Sequence, residues 1–213
     1  MKSKFIIVFL ILTFNLSSLN FTAAEEFNFN TTELQILENG NILKGINGGE
    51  INTKNNEIVI RADNFEYNKL TTLLKAKGNV RLIDKIADII IETNEIVYLK
   101  NKEEIYTKGK SKTLKGKHLQ IDAIQYFKYN KITSLLEAKG NVVLNEKNKN
   151  ITIYTNEILY LMNEEKISSL GKTNINVEDK YNIEGNNLIL LKDKMVLSSK
   201  KNAIITDSES NTY

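Results

Sequence analysis

From Ile58 onward, apolar and polar residues alternate along the chain with the two-residue period of a β-strand. The alternating runs are rich in Ile, Val, Thr and Tyr, and Asn, Lys, Asp and Gly separate them, which is typical of short strands joined by turns. Helical periodicity is weak everywhere after the N-terminal leader. The pattern therefore predicts an all-β chain. In the best-defined unit, the positions that share a side are Ala76, Gly78, Val80 and Leu82, then Ile89, Ile91 and Thr93, then Ile96 and Tyr98.

One segment of the chain occurs twice with few changes. Leu74–Leu82 reads LKAKGNVRL and Leu136–Leu144 reads LEAKGNVVL. In the longer windows Leu73–Lys110 and Leu135–Lys172, about 22 of 38 aligned residues are identical. Weaker copies give glycines and tyrosines a common period of about 31 residues, so the sequence predicts stacked repeats in which a double unit of about 62 residues is duplicated. The periodic residues are Gly78, Gly109, Gly140 and Gly171, and Tyr67, Tyr98, Tyr129 and Tyr160.

The repeated glycines fall in the middle of predicted strands. Glycine at such a place usually marks a bulge or a bend, because it adopts backbone angles that other residues avoid. If every unit bends at its glycine, the stacked units fold the sheet over on itself. Turns are expected at Asp63-Asn64, Asn94-Glu95 and Asn156-Glu157, since Asn and Asp bond locally to the backbone. A ladder of catalytic carboxylates is the competing interpretation of these positions, and a repeated turn explains the same letters.

The N terminus has the three parts of a secretory signal peptide. Lys2 and Lys4 precede an apolar run from Phe5 to Leu16, and the small residues before Glu25 favour cleavage after Ala24. An uncleaved membrane anchor is the alternative, but the apolar run of about 12 residues is short of the roughly 20 that a spanning helix needs. We therefore predict a signal peptide at residues 1–24 and one exported domain at residues 25–213.

Composition removes most catalytic chemistry. The chain has no cysteine and one histidine, so a Cys–His nucleophile pair and a His-rich metal site are excluded. Neither a Gly-x-Ser-x-Gly elbow nor a phosphate-binding loop is present. His118, beside Lys115 and Lys117, is interpreted as a solvated surface residue. The net charge falls from +3 to +1 without Lys2 and Lys4, which gives no reason to expect nucleic acid. We predict no enzymatic activity, no cofactor and no metal.

The apolar face then becomes the candidate functional surface. Either it forms a closed core, or the two sheets stay apart and leave a trough between them. An aliphatic trough suits acyl chains better than sugars, because sugar sites usually need aromatic platforms and polar partners. Stacked units also leave unpaired strands at both ends, where another sheet can add on. Periodicity does not decide between the closed core and the trough.

The ordered motifs resemble a known family. They are Leu-x-Ala-x-Gly-Asn-Val-x-Leu, then Ile-x-Ile-x-Thr-Asn-Glu-Ile-x-Tyr, then a Lys/Glu-rich turn and Ile-x-x-x-Gly. In this order and at a fixed period they resemble the OstA-like family of lipopolysaccharide transport proteins, over about residues 58–191. The family includes LptA, a domain of LptC and the N-terminal domain of LptD. The resemblance implies a β-jellyroll of stacked V-shaped antiparallel strands, an interior that shields lipid A acyl chains, docking to other jellyrolls through edge strands, and no enzymatic activity.

The resemblance also implies which side chains bind lipid. The inward positions would be Ala76, Val80, Leu82, Ile89, Ile91, Ile96, Ala138, Val142, Leu144, Ile151, Ile153 and Ile158. A register shift of one residue would turn each of these strands inside out.

The residues do not decide which of two family members the chain resembles more. The units run on past Asn202, which stands where the next glycine would fall, and stop at Tyr213 before another paired strand. The chain is thus expected to be LptA-like and periplasmic, or the truncated front of an LptD-like protein associated with the outer membrane. The alternative from another class is an exported β-solenoid adhesin or polysaccharide-binding protein, which should display an exposed aromatic or carboxylate stripe.

Overall fold

A computed structural model of the chain describes residues 27–199 and 201–213. Over these residues the chain forms seventeen strands, all paired antiparallel, and the prediction of an all-β fold is confirmed. The predicted signal peptide lies outside the described residues. The strands are β1 (Phe27–Leu37), β2 (Ile42–Thr53), β3 (Ile58–Ala62), β4 (Asn64–Asn68), β5 (Leu73–Asp84), β6 (Ile89–Leu99), β7 (Glu104–Thr107), β8 (Ser111–Lys115), β9 (Leu119–Ala123), β10 (Tyr126–Asn130), β11 (Leu135–Glu146), β12 (Ile151–Leu161), β13 (Lys166–Val177), β14 (Tyr181–Asn186), β15 (Leu188–Leu191), β16 (Val196–Ser199) and β17 (Ile204–Asp207).

Four single turns of 3₁₀ helix are the helical elements of the described residues. They join strands at Glu38–Gly40, Lys100–Lys102, Lys147–Lys149 and Met162–Glu164. None of the helices in this part of the chain is long and apolar enough to span a membrane.

The strands bend at the repeated glycines. In β5 the register with β6 shifts between Lys77 and Val80, where Gly78 and Asn79 both have positive φ. The same shift occurs in β11 between Lys139 and Val142. Other strands are interrupted at this level, as β3 and β4 are on either side of Asp63. The predicted bends are therefore present, and each bent strand is V-shaped.

The bends divide the sheet into two half-sheets. Half-sheet A contains β3, β8, β9, β14 and β17, with one half each of β1, β2, β5, β6, β11, β12 and β13. Half-sheet B contains β4, β7, β10, β15 and β16, with the other halves of those long strands. Phe27 of half-sheet A meets Tyr67 and Tyr98 of half-sheet B edge to face, at ring-centroid distances of 4.9 and 5.8 Å. The two half-sheets thus face each other across one apolar interior, as in a β-jellyroll.

Two of the predicted turns are wrong. Asn94-Glu95 lies within the continuous strand β6, and Asn156-Glu157 lies within β12. In each case the register shifts beside these residues, and the strand bends without ending. The glutamates are also paired, since Glu157 contacts Lys139 at 3.0 Å across the strand pair. Asp63, by contrast, does separate two short strands.

The turns at the open end of the V form two rows, which we call rim A and rim B. Rim A consists of the turns at residues 54–57, 85–88, 116–118, 147–150 and 178–180 with their flanking strand ends, and rim B of those at 38–41, 69–72, 100–103, 131–134, 162–165 and 192–195. Backbone bonds link successive turns along each rim, such as Lys85 N to Glu57 O at 2.9 Å and Lys131 N to Glu103 O at 3.0 Å. We call the boundary where the two rims meet the seam.

Candidate functional site

The twelve residues predicted to bind lipid all lie on the inner face. Each is at most 2% exposed, and all belong to one hydrophobic cluster. They are Ala76, Val80, Leu82, Ile89, Ile91, Ile96, Ala138, Val142, Leu144, Ile151, Ile153 and Ile158. Their neighbours Ile90 and Thr152 are partly exposed on the other side of the strands. In this structure protein side chains fill the interior, and contact of the twelve residues with lipid stays a prediction.

Strand register aligns the inner residues of half-sheet A into a continuous row. The row runs through Ile60, Leu82, Ile91, Thr113, Ile121, Leu144, Ile153, Ile175 and Ile183. Every side chain in it is aliphatic except Thr113, whose hydroxyl is buried without a hydrogen-bond partner in the described structure. The row is an apolar surface that extends across half-sheet A.

Half-sheet B has a different inner row, in which tyrosines alternate with Leu and Ile. The row runs through Tyr67, Leu74, Tyr98, Ile105, Tyr129, Leu136, Tyr160, Ile167 and Leu190. The tyrosine rings are buried, so the periodic aromatics do not form the exposed stripe that the adhesin alternative predicted. Antiparallel pairing also differs from a solenoid, whose successive coils stack in parallel.

Three of these tyrosines donate hydrogen bonds to carboxylates at the rims. Tyr98 Oη is 2.5 Å from Glu103 Oε2, and Tyr160 Oη is 2.8 Å from Glu165 Oε2, both within half-sheet B. Tyr129 Oη instead crosses the seam, 3.1 Å from Asp84 Oδ2 of half-sheet A. The tyrosine row therefore connects the apolar interior to the charged groups of the rims.

A first cluster of charges joins the rims around Lys131. Its ammonium, on rim B, is 3.6 Å from Asp84 Oδ2 and 3.9 Å from Glu57 Oε2 on rim A, and 3.8 Å from Glu103 Oε2 on its own rim. The Asp84 side chain is fully buried and that of Lys131 is 15% exposed. We call Asp84, Glu57, Glu103 and Lys131 the first clasp.

A second cluster repeats this arrangement around Lys192. Its ammonium, on rim B, is 3.3 Å from Glu146 Oε2 on rim A and 2.7 Å from Glu165 Oε2 on rim B. Lys149 of rim A also donates a hydrogen bond to the backbone oxygen of Lys192. We call Glu146, Glu165 and Lys192 the second clasp. Its residues follow those of the first clasp by one double unit.

The charges of the second clasp stabilise one another. Burial disfavours the charged form of Glu165, but hydrogen bonds from Lys192 and Tyr160 outweigh it, so the pKa of Glu165 lies below its ordinary value. Burial similarly opposes the charge on Lys192, and its carboxylate partners still raise the pKa of Lys192. In the first clasp, bonds from Lys100 and Tyr98 likewise outweigh burial and lower the pKa of Glu103.

Two cavities lie beside the clasps along the seam. One of about 370 Å³ is lined by Asp84 and Lys131, and one of about 290 Å³ by Glu146 and Lys192. Lys115 and Glu165 line both, and none of the twelve inward residues lines either. The exposed His118 borders the second cavity. No group of acidic or histidine side chains among the described residues has an arrangement suited to a metal ion.

Both clasps were missed at the sequence level, although the sequence contains a signal for them. Asp84 and Glu146 stand one double unit apart, as do Glu103 and Glu165. The spacing of acidic residues that precede or follow turns was therefore informative. It did not indicate which turns meet, because the partners belong to opposite half-sheets.

The ends of the stack are open strand edges. Among the described residues, β1 pairs with β2 alone and β16 with β15 alone. The half of β1 that belongs to half-sheet B carries the exposed side chains Leu34, Ile36 and Leu37. The edge of β17 is partly covered by the C-terminal segment, where Tyr213 N donates to Ile205 O at 2.9 Å.

Comparison with solved structures finds a similarity to LptH from Pseudomonas aeruginosa, described as the LptA-homologous periplasmic component of the conserved lipopolysaccharide transport device. The alignment covers 68% of this chain and 82% of that chain, with 13% sequence identity and a TM-score of 0.29. No protein-family profile matches the chain. No curated protein matches it at a significant level.

Proposed function

We propose that this protein is a periplasmic lipopolysaccharide-binding protein that shields acyl chains during transport to, or assembly at, the outer membrane. The observation that supports the proposal is the continuous row of half-sheet A, aliphatic except for Thr113, which faces half-sheet B across the apolar interior. Acyl chains need apolar contact along their length, and the row supplies it through side chains such as Leu82, Ile91 and Leu144.

Binding of this kind involves no covalent step. An acyl chain inserted between the half-sheets would replace contacts between their inner side chains, so apolar surface stays out of water throughout. The charged and sugar parts of lipopolysaccharide would remain outside, because burying them without partners is costly. The rims carry exposed lysines such as Lys85, Lys117 and Lys147, and they border the seam at which those groups would remain.

Transfer of lipid requires a neighbouring jellyroll, and the open edges suit that role. A strand of another protein can pair with the free edge of β1 or β16 by β-strand addition, in which backbone hydrogen bonds supply affinity. The exposed Leu34, Ile36 and Leu37 would be covered on such docking. Edge-to-edge docking would bring two apolar interiors into line.

Site-specific photo-crosslinking tests this function. A crosslinker placed at Ile91 or Ile153, which are buried on the inner face, is expected to capture lipid A when the protein is incubated with lipopolysaccharide. The matched controls are the outward neighbours Ile90 and Thr152, which should capture little. Capture from the outward positions alone would reject binding between the half-sheets.

A further inference from the structure

The two rims are connected in a different way from the strands within each rim. Backbone hydrogen bonds run along rim A and along rim B, as between Gly116 N and Asp88 O at 2.9 Å, and between Met162 N and Ser134 O at 3.0 Å. The contacts described above across the seam are made by side chains, chiefly those of the two clasps. The seam can therefore separate without breaking any of the strand pairings that the described residues form.

Each clasp has the parts of a reversible latch. A buried carboxylate from rim A, Asp84 or Glu146, faces an ammonium from rim B, Lys131 or Lys192. A second carboxylate on rim B contacts the same ammonium and accepts a hydrogen bond from a buried tyrosine. The lysine thus keeps one partner, Glu103 or Glu165, after the rims part.

The energetics of such a pair suit opening better than an apolar contact would. Burying two charges costs desolvation energy that largely offsets their attraction, so separating the pair into water has a small net cost. Removing one partner is different, because the other charge then stays buried without compensation whenever the seam is closed. A clasp therefore closes the seam without making the closed state too stable to open.

We propose that the two clasps latch the seam, and that uptake of an acyl-chain lipid into the interior requires them to open. This inference rests on the proposed function for its lipid but not for its mechanics. The latch determines how often the interior becomes accessible, and the aliphatic row determines what binds there.

The absence of natural cysteine allows a direct test. Ile89→Cys and Ile151→Cys place a thiol at buried positions that pair in the sheet with Asp84 and Glu146, respectively. Ala76→Cys places a thiol at a buried position next to the bend. The rate at which a maleimide labels each thiol reports how often that position opens to solvent.

Lys131→Met breaks the first clasp and is expected to speed labelling of Ile89→Cys by about tenfold or more, because Asp84 is left buried without its cation. Labelling of Ala76→Cys should change little. The matched control is Lys139→Met, which removes an ion pair with Glu157 that does not cross the seam, and it should affect neither thiol. An unchanged labelling rate at Ile89→Cys would contradict the proposal that the clasps hold the seam closed. An equal rise in the labelling rate at Ala76→Cys would signal global unfolding and would contradict it as well.

The double variant Lys131→Met/Asp84→Leu replaces the charges with apolar groups and should return labelling of Ile89→Cys to the parent rate or below. Uptake of lipopolysaccharide, measured by the rate of photo-crosslinking at Ile153, should be faster than in the parent for Lys131→Met, and at or below the parent rate for the double variant. Uptake rates that do not follow the labelling rates across these variants contradict the proposal that lipid uptake requires the clasps to open. Failure of every variant to capture lipid rejects the proposed function, while the labelling still decides whether the clasps close the seam.

Discussion

The two boundaries between the half-sheets, the bend and the seam, differ in kind. At the bend the chain itself continues from one half-sheet to the other, and backbone bonds such as Asp63 N to Gly78 O at 3.0 Å tie neighbouring strands together. At the seam, the side chains of Lys131 and Lys192 connect rim B to carboxylates of rim A. The bend therefore suits the role of a hinge, and the seam suits the role of an opening.

Buried hydroxyl groups make the same distinction. Near the bend, Ser111 Oγ lies 2.8 Å from Thr93 Oγ1 and 2.9 Å from Thr107 Oγ1. One double unit later, Thr173 and Ser169 repeat the contact at 2.7 Å. Neutral hydroxyls that hydrogen-bond to one another stabilise a fixed geometry. The charged groups of the seam, in contrast, become hydrated when they separate.

The largest effect is expected from rigid substitution at the bend. Gly78→Ala should lower the free energy of unfolding by about 3 kcal/mol, because alanine is strained at a positive φ and its Cβ overpacks the site. A Cβ at this position would lie 2.2 Å from Asp63 Oδ2 and 2.9 Å from Asp63 Cβ. Urea denaturation measures the change. Gly109→Ala is the control, since no described atom beyond its two chain neighbours lies within 4 Å of its Cβ position, and it should cost about 1 kcal/mol. Equal losses at the two glycines would show that crowding at the bend is unimportant.

Breaking the second clasp should have a smaller but clear effect. Lys192→Met leaves Glu146 buried without its cation and is expected to lower the free energy of unfolding by about 2 kcal/mol. Lys139→Met, at a more exposed ion pair, should lower it by less than about 0.5 kcal/mol. Both values come from urea denaturation at neutral pH. If the two variants lose the same stability, the seam pair has no special role.

Acid should weaken the contacts that Glu103 and Glu165 make with lysines and tyrosines of half-sheet B. The lowered pKa values of Glu103 and Glu165 mean that the folded state favours their charged forms. Their contribution to stability is therefore present above the ordinary carboxyl pKa of 4.5 and is lost as the pH falls through the lowered values. The melting temperature of the parent should fall over this range, and that of Lys192→Met should fall less. Parallel curves for the two proteins would contradict this origin of the acid sensitivity.

The smallest effect is expected at Thr113, midway along β8 between bend and rim. Thr113→Val removes a buried hydroxyl that has no hydrogen-bond partner among the described residues, and it should raise the free energy of unfolding by about 1 kcal/mol. Thr107→Val is the control at the bend, where the Thr107 hydroxyl accepts a bond from Phe127 N at 2.7 Å, and it should cost about 1 kcal/mol. Calorimetry should show that the two variants change the free energy of unfolding in opposite directions. Destabilisation by Thr113→Val would show that its hydroxyl is satisfied.

The all-β fold and the bends could be predicted from the sequence because both depend on local signals. Alternation assigns a side to each residue of a strand, and a glycine repeated in mid-strand, such as Gly78 or Gly140, marks the place where the backbone needs a positive φ. The error at Asn94-Glu95 has a local cause too. Asn and Glu there suit a turn, but pairing with β5 on both sides of the bulge keeps β6 continuous.

The seam could not be predicted in this way. Tyr129 and Asp84 are 45 residues apart, and their contact exists only because the bend folds half-sheet B over half-sheet A. The period of the tyrosines was visible, but a period alone does not say whether a ring faces solvent or the interior. Contacts between half-sheets depend on how far the V closes, which no alternation pattern encodes.

We propose that the seam opens around a lipid while the rest of the fold is unchanged. Spin labels at Ile86→Cys on rim A and Ile132→Cys on rim B, both exposed turn residues, report the distance across the seam by electron paramagnetic resonance. Labels at Leu70→Cys and Ile132→Cys, both on rim B, provide the matched control. On addition of lipopolysaccharide, the Ile86–Ile132 distance should increase and the Leu70–Ile132 distance should stay the same. An unchanged Ile86–Ile132 distance in protein that has captured lipid would show that the seam does not open around the lipid.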